Sequence, residues 1–140
     1  MRWAWVLGGV GLLTAFLLAV SALPRAFRPG GVPLAPCRAG PLPERAELWT
    51  TGAVELPVCR PATLVLDLEG TPARGKGPHT LVVEGERVLW EGEVLGRRTL
   101  QVKVSGQAMT ALVFADDLYL PPEDRNLFLR GLRVVPEGRR

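Results

Sequence analysis

The chain has 140 residues, of which 47% are hydrophobic, and its formal net charge at pH 7 is +3. This length allows one small domain and excludes a large two-domain enzyme. The 17 basic and 14 acidic residues are interspersed, which argues against nucleic acid as a partner. One histidine and two cysteines exclude a zinc site with four His and Cys ligands.

The amino-terminal segment is apolar. Residues 3–23 carry no charged side chain, and a helix of this length would cross the ~30 Å hydrocarbon layer of a membrane. We predict a transmembrane signal-anchor helix over residues 1–24, in a single-pass protein of the cell membrane whose carboxy-terminal domain lies outside the cytoplasm. The alternative is a cleaved signal peptide, because the small residues Ser21 and Ala22 suit a cleavage site.

The next segment, residues 25–44, contains five prolines and three glycines, which predict a semi-extended linker. The only cysteines, Cys37 and Cys59, follow the apolar segment. In an exported chain this even count predicts a disulfide, and the alternative is two buried free thiols.

The remainder, residues 45–136, alternates apolar and polar side chains with the period of two that is typical of antiparallel strands with one buried face. The clearest examples are residues 63–69 and 98–104, whose apolar positions are Leu64, Leu66, Leu68, Leu100, Val102 and Val104. Further strands are predicted over residues 46–56, 80–84, 87–91, 110–114 and 127–135, with a hairpin turn at residues 84–86.

The last predicted strand changes phase. Leu127 and Leu129 alternate, but the next apolar pair is Leu132 and Val134, so we predict a β-bulge at residues 130–131. Short, regularly spaced strands without an apolar helical stripe predict an all-β antiparallel β-sandwich over residues 45–136, followed by a short basic tail at residues 137–140.

Catalytic groups are hard to assemble from this sequence. His79 is the only histidine, and Ser105, the only serine outside the apolar segment, lacks the Gly-x-Ser-x-Gly context of a hydrolase nucleophile. Carboxylates two positions apart, such as Glu84 and Glu86, are typical of a solvated strand face. We therefore expect a protein that is not an enzyme.

The stretch from Phe114 to Leu129 is rich in oxygen-bearing side chains and is predicted to be a loop between two strands. Such loops suit calcium, which takes 6–8 oxygen ligands. Tyr119 in the same stretch offers a ring that could stack on a sugar. The candidate metal ligands are Asp116, Asp117 and Asp124.

The order of this stretch resembles that of the calcium-dependent xylan-binding carbohydrate-binding modules. A strand ends in Phe114, an acidic pair and a loop follow, and Asp-Arg-Asn-Leu opens the last strand at residues 124–127. The resemblance implies a jelly-roll-like sandwich and calcium as a cofactor, with Asp117 and Asp124 as loop carboxylates. It also implies that Arg125 and Asn126 follow these carboxylates at the site, and together with Tyr119 they are the candidate ligand-binding residues.

A purely structural interpretation of the same residues stays open. In it, Asp124 caps the loop, Arg125 pairs with Asp116 or Asp117, and Asn126 bonds the backbone. The basic pair at residues 97–98 is either a solvated strand end or a weak contact for an acidic glycan or lipid.

Two functions are compatible with these patterns. The first is a non-catalytic, membrane-anchored module outside the cytoplasm that binds a polysaccharide or cell-wall glycan. The alternative is a structural accessory subunit of a larger membrane-protein complex, because Gly8, Gly9 and Gly11 permit close approach of a second membrane helix.

Overall fold

The structure is a computed structural model that describes residues 36–138. The predicted membrane helix, residues 25–35 of the predicted linker and residues 139–140 of the predicted basic tail lie outside this range. Between residues 36 and 138, no helix is long and apolar enough to span a membrane.

The described residues form ten β-strands. In chain order these are β1 (Ala46–Leu48), β2 (Gly52–Leu56), β3 (Ala62–Gly70), β4 (His79–Glu84), β5 (Arg87–Glu93), β6 (Gly96–Val104), β7 (Thr110–Phe114), β8 (Leu118–Leu120), β9 (Glu123–Arg125) and β10 (Leu127–Pro136).

Eight of these strands form two antiparallel sheets of four. The first sheet has the order β1-β10-β3-β6 and the second has the order β2-β7-β4-β5, while β8 and β9 pair separately. The predicted antiparallel β-sandwich is therefore confirmed. The strand predicted over residues 46–56 is two strands in different sheets, because the chain crosses from β1 to β2 at residues 49–51.

The core lies between the two sheets and is filled by alternate residues of each strand. Leu64, Leu66 and Leu68 of β3 are almost completely buried, as the alternation predicts, and they share one cluster with Leu112 and Phe114 of β7. On the other side of β3, Thr63, Asp67 and Glu69 are polar and at least partly exposed, whereas Val65 is apolar and 5% exposed. The sequence period thus determines which groups of the first sheet are available to a ligand.

The predicted bulge is present in β10. Leu129 pairs with Leu68 and Gly131 pairs with Asp67, so Arg130 is the extra residue. A side chain at position 131 would put its Cβ 3.1 Å from the Asp67 Oδ2 atom, and glycine leaves room for that carboxylate. The bulge turns Arg130 to the outer face of the sheet.

The predicted disulfide is also present. Cys37 and Cys59 are bonded, with their Cα atoms 5.6 Å apart, and Pro36 forms an isolated bridge with Ala108. The end of the predicted linker is thereby attached to the sandwich. Disulfides of this kind are typical of domains in an oxidising compartment outside the cytoplasm.

Reducing this disulfide is expected to lower the free energy of unfolding by about 3 kcal/mol, because the unfolded chain regains the freedom of a closed loop. The measurement is urea unfolding of the chain with and without a reducing agent. A variant with both Cys37→Ala and Cys59→Ala is the control, since its unfolding midpoint should not respond to the reducing agent. A midpoint that is the same in the oxidised and reduced chains would show that the bond does not stabilise the fold.

Candidate functional site

The oxygen-rich stretch is a short hairpin and not an irregular loop. β8 and β9 pair over three residues each, with Leu118 opposite Arg125, Tyr119 opposite Asp124 and Leu120 opposite Glu123. The hairpin joins the end of β7 to the start of β10, and thus connects the two sheets.

Arg125 is the buried anchor of this hairpin. Its side chain is 8% exposed, and its Nη1 donates to the Asp116 carboxylate at 3.1 Å. The same guanidinium donates to the backbone carbonyls of Ala73, Lys76 and Asp116 at 2.8 to 3.1 Å. All four of these hydrogen bonds are made within the protein, so Arg125 has a structural role. The sequence left Asp116 and Asp117 open as partners of Arg125, and the partner in the structure is Asp116.

The three candidate metal ligands are held in different ways. Asp116 accepts hydrogen bonds from the His79 backbone N–H at 2.6 Å and from Arg125. The backbone N–H of Asp117 donates to the Thr51 hydroxyl at 3.2 Å, and the Asp124 carbonyl accepts from the Thr71 hydroxyl at 2.6 Å.

These groups do not fit a calcium ion as they stand. A guanidinium contacts the Asp116 carboxylate, where it would repel a cation. No group of three or more His, Cys, Asp or Glu side chains within residues 36–138 is arranged to hold a metal. The calcium site stays a prediction of the sequence.

The remaining two predicted ligand-binding residues lie in opposite environments. Asn126 is 3% exposed, and its Oδ1 has no hydrogen-bond partner in the described part of the chain, while its backbone N–H donates to the Thr71 hydroxyl. Tyr119 is 68% exposed at the hairpin. Of the sequence-predicted contact residues, Tyr119 is the one that a ligand can reach.

A second candidate site is a groove on the outer face of the first sheet. It has a volume of about 670 Å³ and is lined mainly by charged and polar side chains. Four arginines contribute to it: Arg45, Arg97, Arg98 and Arg130. The groove also contains the side chains of Asp67, Glu69 and Thr99.

The strand register places these groups side by side. Glu69 of β3 lies opposite Arg97 of β6 and opposite Phe128 of β10, because β3 is the strand between the other two. Two residues earlier on β3, Asp67 also faces outward. It lies opposite Thr99 of β6, whose hydroxyl donates to the Asp67 Oδ1 at 2.8 Å. The groove is thus built from regular cross-strand pairs.

The bulge adds Arg130 to this arrangement. Its Nε donates to the Glu69 Oε2 at 3.1 Å, and its guanidinium lies 4.4 Å from the centre of the Phe128 ring. Arg130 therefore connects the groove with an aromatic cluster on the same face, which consists of Phe128 and Trp49.

The aromatic cluster ends in an exposed indole. The Trp49 ring meets Phe128 edge to face at 5.1 Å, and its Nε1 donates to the Glu47 Oε2 at 2.9 Å. Trp49 is still 54% exposed. A large ring that is held by a neighbour and a hydrogen bond, yet open to solvent, is available for stacking without loss of much conformational freedom.

The residues considered for catalysis are engaged elsewhere. The His79 Nε2 atom lies 2.8 Å from the Glu91 carboxylate, and the Ser105 hydroxyl donates to the Glu84 carboxylate at 2.9 Å. No hydrogen bond joins His79 to Ser105 in the described range. This arrangement gives no support to a Ser-His hydrolase.

From the sequence, the basic pair at residues 97–98 is a weak candidate contact for an acidic glycan or lipid, and the other groove residues are not indicated as a site. The alternation does indicate that Asp67 and Glu69 point outward, and the phase change does indicate the bulge at Arg130. The missing information was that β3 lies between β10 and β6, which brings separate polar residues together.

Comparison of the chain with protein-family models, with curated proteins and with solved structures finds no match.

Proposed function

We propose that this protein is a non-catalytic module that binds a polysaccharide through the groove and the aromatic cluster on the outer face of the first sheet. The observation that carries the proposal is the exposed Trp49 ring beside a polar groove. Sugars present both kinds of surface to a protein, an apolar ring face that stacks on indole and hydroxyl groups that need hydrogen-bond partners.

The groove supplies both donors and acceptors for sugar hydroxyls. The guanidinium groups of Arg97 and Arg130 donate, and the carboxylates of Asp67 and Glu69 accept. An open groove of about 670 Å³ on a sheet face also suits a chain molecule, because a polymer can pass through without a closed pocket around its end. These properties favour internal binding of a polysaccharide over capture of a free monosaccharide.

The resemblance to the calcium-dependent xylan-binding modules supports the same class of ligand, with a jelly-roll-like sandwich as the finer fold. The disulfide supports a location outside the cytoplasm. With the predicted helix over residues 1–24 as its anchor, the domain would hold a cell-wall or extracellular glycan at the membrane surface.

Replacing Trp49 with alanine is expected to weaken polysaccharide binding about tenfold, because a stacking surface worth ~1.4 kcal/mol is lost. The measurement is affinity electrophoresis of the full chain in gels that contain a soluble polysaccharide, with xylan, a mixed-linkage β-glucan and polygalacturonate as probes. Tyr119→Ala is the matched control, since Tyr119 is an exposed aromatic residue of the β8–β9 hairpin.

The same gels distinguish the two candidate sites when they are run with excess calcium and with a chelator. Retention that is lost in Tyr119→Ala and preserved in Trp49→Ala, and that requires calcium, would place binding at the hairpin and contradict the groove. A chain that none of the three polysaccharides retards would contradict the proposed function.

An accessory subunit of a membrane-protein complex is the second candidate, and one observation favours it. Alternate residues of β2, β4 and β7 in the second sheet point away from the core. Two of these seven residues, Glu55 and His79, are polar, and the other five are apolar: Ala53, Leu81, Val83, Ala111 and Val113. Val88 of β5 extends this face and is 53% exposed. Co-purification of stoichiometric membrane proteins, with no polysaccharide binding, would favour this candidate over the first.

A further inference from the structure

We infer that the groove selects an anionic polysaccharide, one whose sugar units carry carboxylate groups at intervals along the chain. This inference rests on the proposed function and names the class of glycan. It is carried by the charges of the groove, which are unequal: three arginines, Arg45, Arg97 and Arg130, line it together with two carboxylates, those of Asp67 and Glu69.

The positive charge of the groove is only partly neutralised by its own carboxylates. Glu69 is shared between Arg130, at 3.1 Å, and Arg97, at 3.7 Å. One carboxylate cannot balance two guanidinium groups, and the Arg97 side chain is 88% exposed, so most of its donors face solvent. A ligand carboxylate can approach Arg97 without first displacing Glu69.

Arg45 adds a further positive charge at the same groove. It is exposed, and among residues 36–138 no carboxylate lies within 4.0 Å of its guanidinium. Arg98 does not add to this charge, because it lies opposite the buried Leu68 and its guanidinium is directed to β5, 5.1 Å from the centre of the Trp90 ring and with Nη1 donating to the Glu93 carbonyl at 3.3 Å. Arg45 is thus not paired with an acidic side chain, which leaves its charge uncompensated in the groove.

Arginine is suited to this role because its planar guanidinium binds a carboxylate through two parallel hydrogen bonds. Carboxylates of a uronate polymer would meet Arg45, just before β1, and Arg97 on β6, while the hydroxyl groups of the same sugar units meet Asp67 and Thr99. The groove therefore fits a polymer that alternates charged and neutral groups.

The acidic residues of the groove argue against a nucleic acid. Asp67 and Glu69 lie on β3, between β10 and β6, where they would repel a phosphate backbone, and the backbone of DNA has no hydroxyl groups to donate to them. The same carboxylates accept hydrogen bonds from sugar hydroxyls, which a glycan offers in quantity. A glycan of uronate units offers carboxylates to the arginines and hydroxyl groups to Asp67 and Glu69.

The test compares two forms of one polymer, polygalacturonate and its methyl ester, which share a backbone and differ in charge. The full chain is expected to bind polygalacturonate at least about tenfold more tightly than the ester, and raising the salt from ~0.05 M to ~0.5 M should remove most of this preference. The double variant Arg45→Ala/Arg97→Ala should bind both forms with similar affinity.

A matched double variant, Arg60→Ala/Arg133→Ala, removes the same charge from exposed positions outside the groove and should keep the preference. Thermal unfolding of both double variants verifies that they are folded.

Four outcomes would overturn the inference. Equal binding of polygalacturonate and its ester by the unaltered chain would do so, and it would leave the proposed polysaccharide function standing. An equal loss in the two double variants would mean that net charge, and not the groove, determines binding. Single-stranded DNA bound as tightly as polygalacturonate would indicate a nucleic-acid ligand, whereas failure to bind any polysaccharide, neutral or anionic, would overturn the proposed function as well.

Discussion

Replacing Arg125 with alanine is expected to lower the free energy of unfolding by about 3 kcal/mol. The guanidinium donates to the carbonyls of Ala73, Lys76 and Asp116 and to the Asp116 carboxylate, so one truncation removes four hydrogen bonds of a buried charge. The measurement is urea unfolding, and limited proteolysis should show cleavage near the β8–β9 hairpin at lower protease concentration than in the unaltered chain.

Two variants test the reason for this loss. Arg125→Lys keeps the charge but has a single nitrogen, which cannot reach carbonyls on separate loops, so its stability should lie between those of alanine and arginine. Arg133→Ala removes an exposed arginine from β10 and should change the free energy of unfolding by less than about 0.5 kcal/mol. Equal stability of Arg125→Ala and Arg133→Ala would refute the anchoring role of Arg125.

The elements that the sequence predicts correctly are those whose signal is local. Alternation in β3 predicts the burial of Leu64, Leu66 and Leu68, and the change of phase in β10 predicts the bulge at Arg130. The hairpin turn at residues 84–86 is also a local signal, because the turn needs a positive φ and the sequence supplies Gly85, whose φ is +57°.

The elements that the sequence does not predict are very short or depend on a change of sheet. β8 and β9 have three residues each, which is too few to display a period of two, so the stretch resembles a loop. Residues 46–56 alternate as one strand would, and only the packing of two sheets divides them at residues 49–51.

The groove is harder to predict from the sequence than a single strand, because its residues belong to strands that are far apart in the chain. Alternation indicates that Glu69 points outward, but no local pattern indicates that Arg97 and Phe128 are its cross-strand neighbours. Register and strand order decide this, and they follow from the packing of the whole core. A site on the face of a sheet is therefore harder to predict than a motif within one loop.

A second buried charge, on Glu84, holds the opposite end of the sandwich. The side chain is 3% exposed, and its Oε2 accepts from the backbone N–H groups of Ser105 and Gly106, each at 2.9 Å. Its Oε1 accepts from the Ser105 hydroxyl at 2.9 Å. Gly106 has a φ of +79° and no space for a Cβ beside Arg60, so the turn after β6 depends on this carboxylate and on glycine together.

Replacing Glu84 with alanine is accordingly expected to lower the free energy of unfolding by about 3 kcal/mol, since three donors in a partly buried turn lose their acceptor. Glu84→Gln should cost only about 1 kcal/mol, because its amide oxygen can still accept from both backbone N–H groups while its NH₂ donates to the Ser105 hydroxyl oxygen. Hydrogen exchange locates the effect: in Glu84→Ala the amides of Ser105 and Gly106 should lose protection before those of the β3 core. Glu86→Ala, at an exposed turn position, should leave stability and exchange unchanged. If alanine and glutamine at position 84 were equally destabilising, the buried negative charge itself, and not the geometry of its acceptors, would hold the turn.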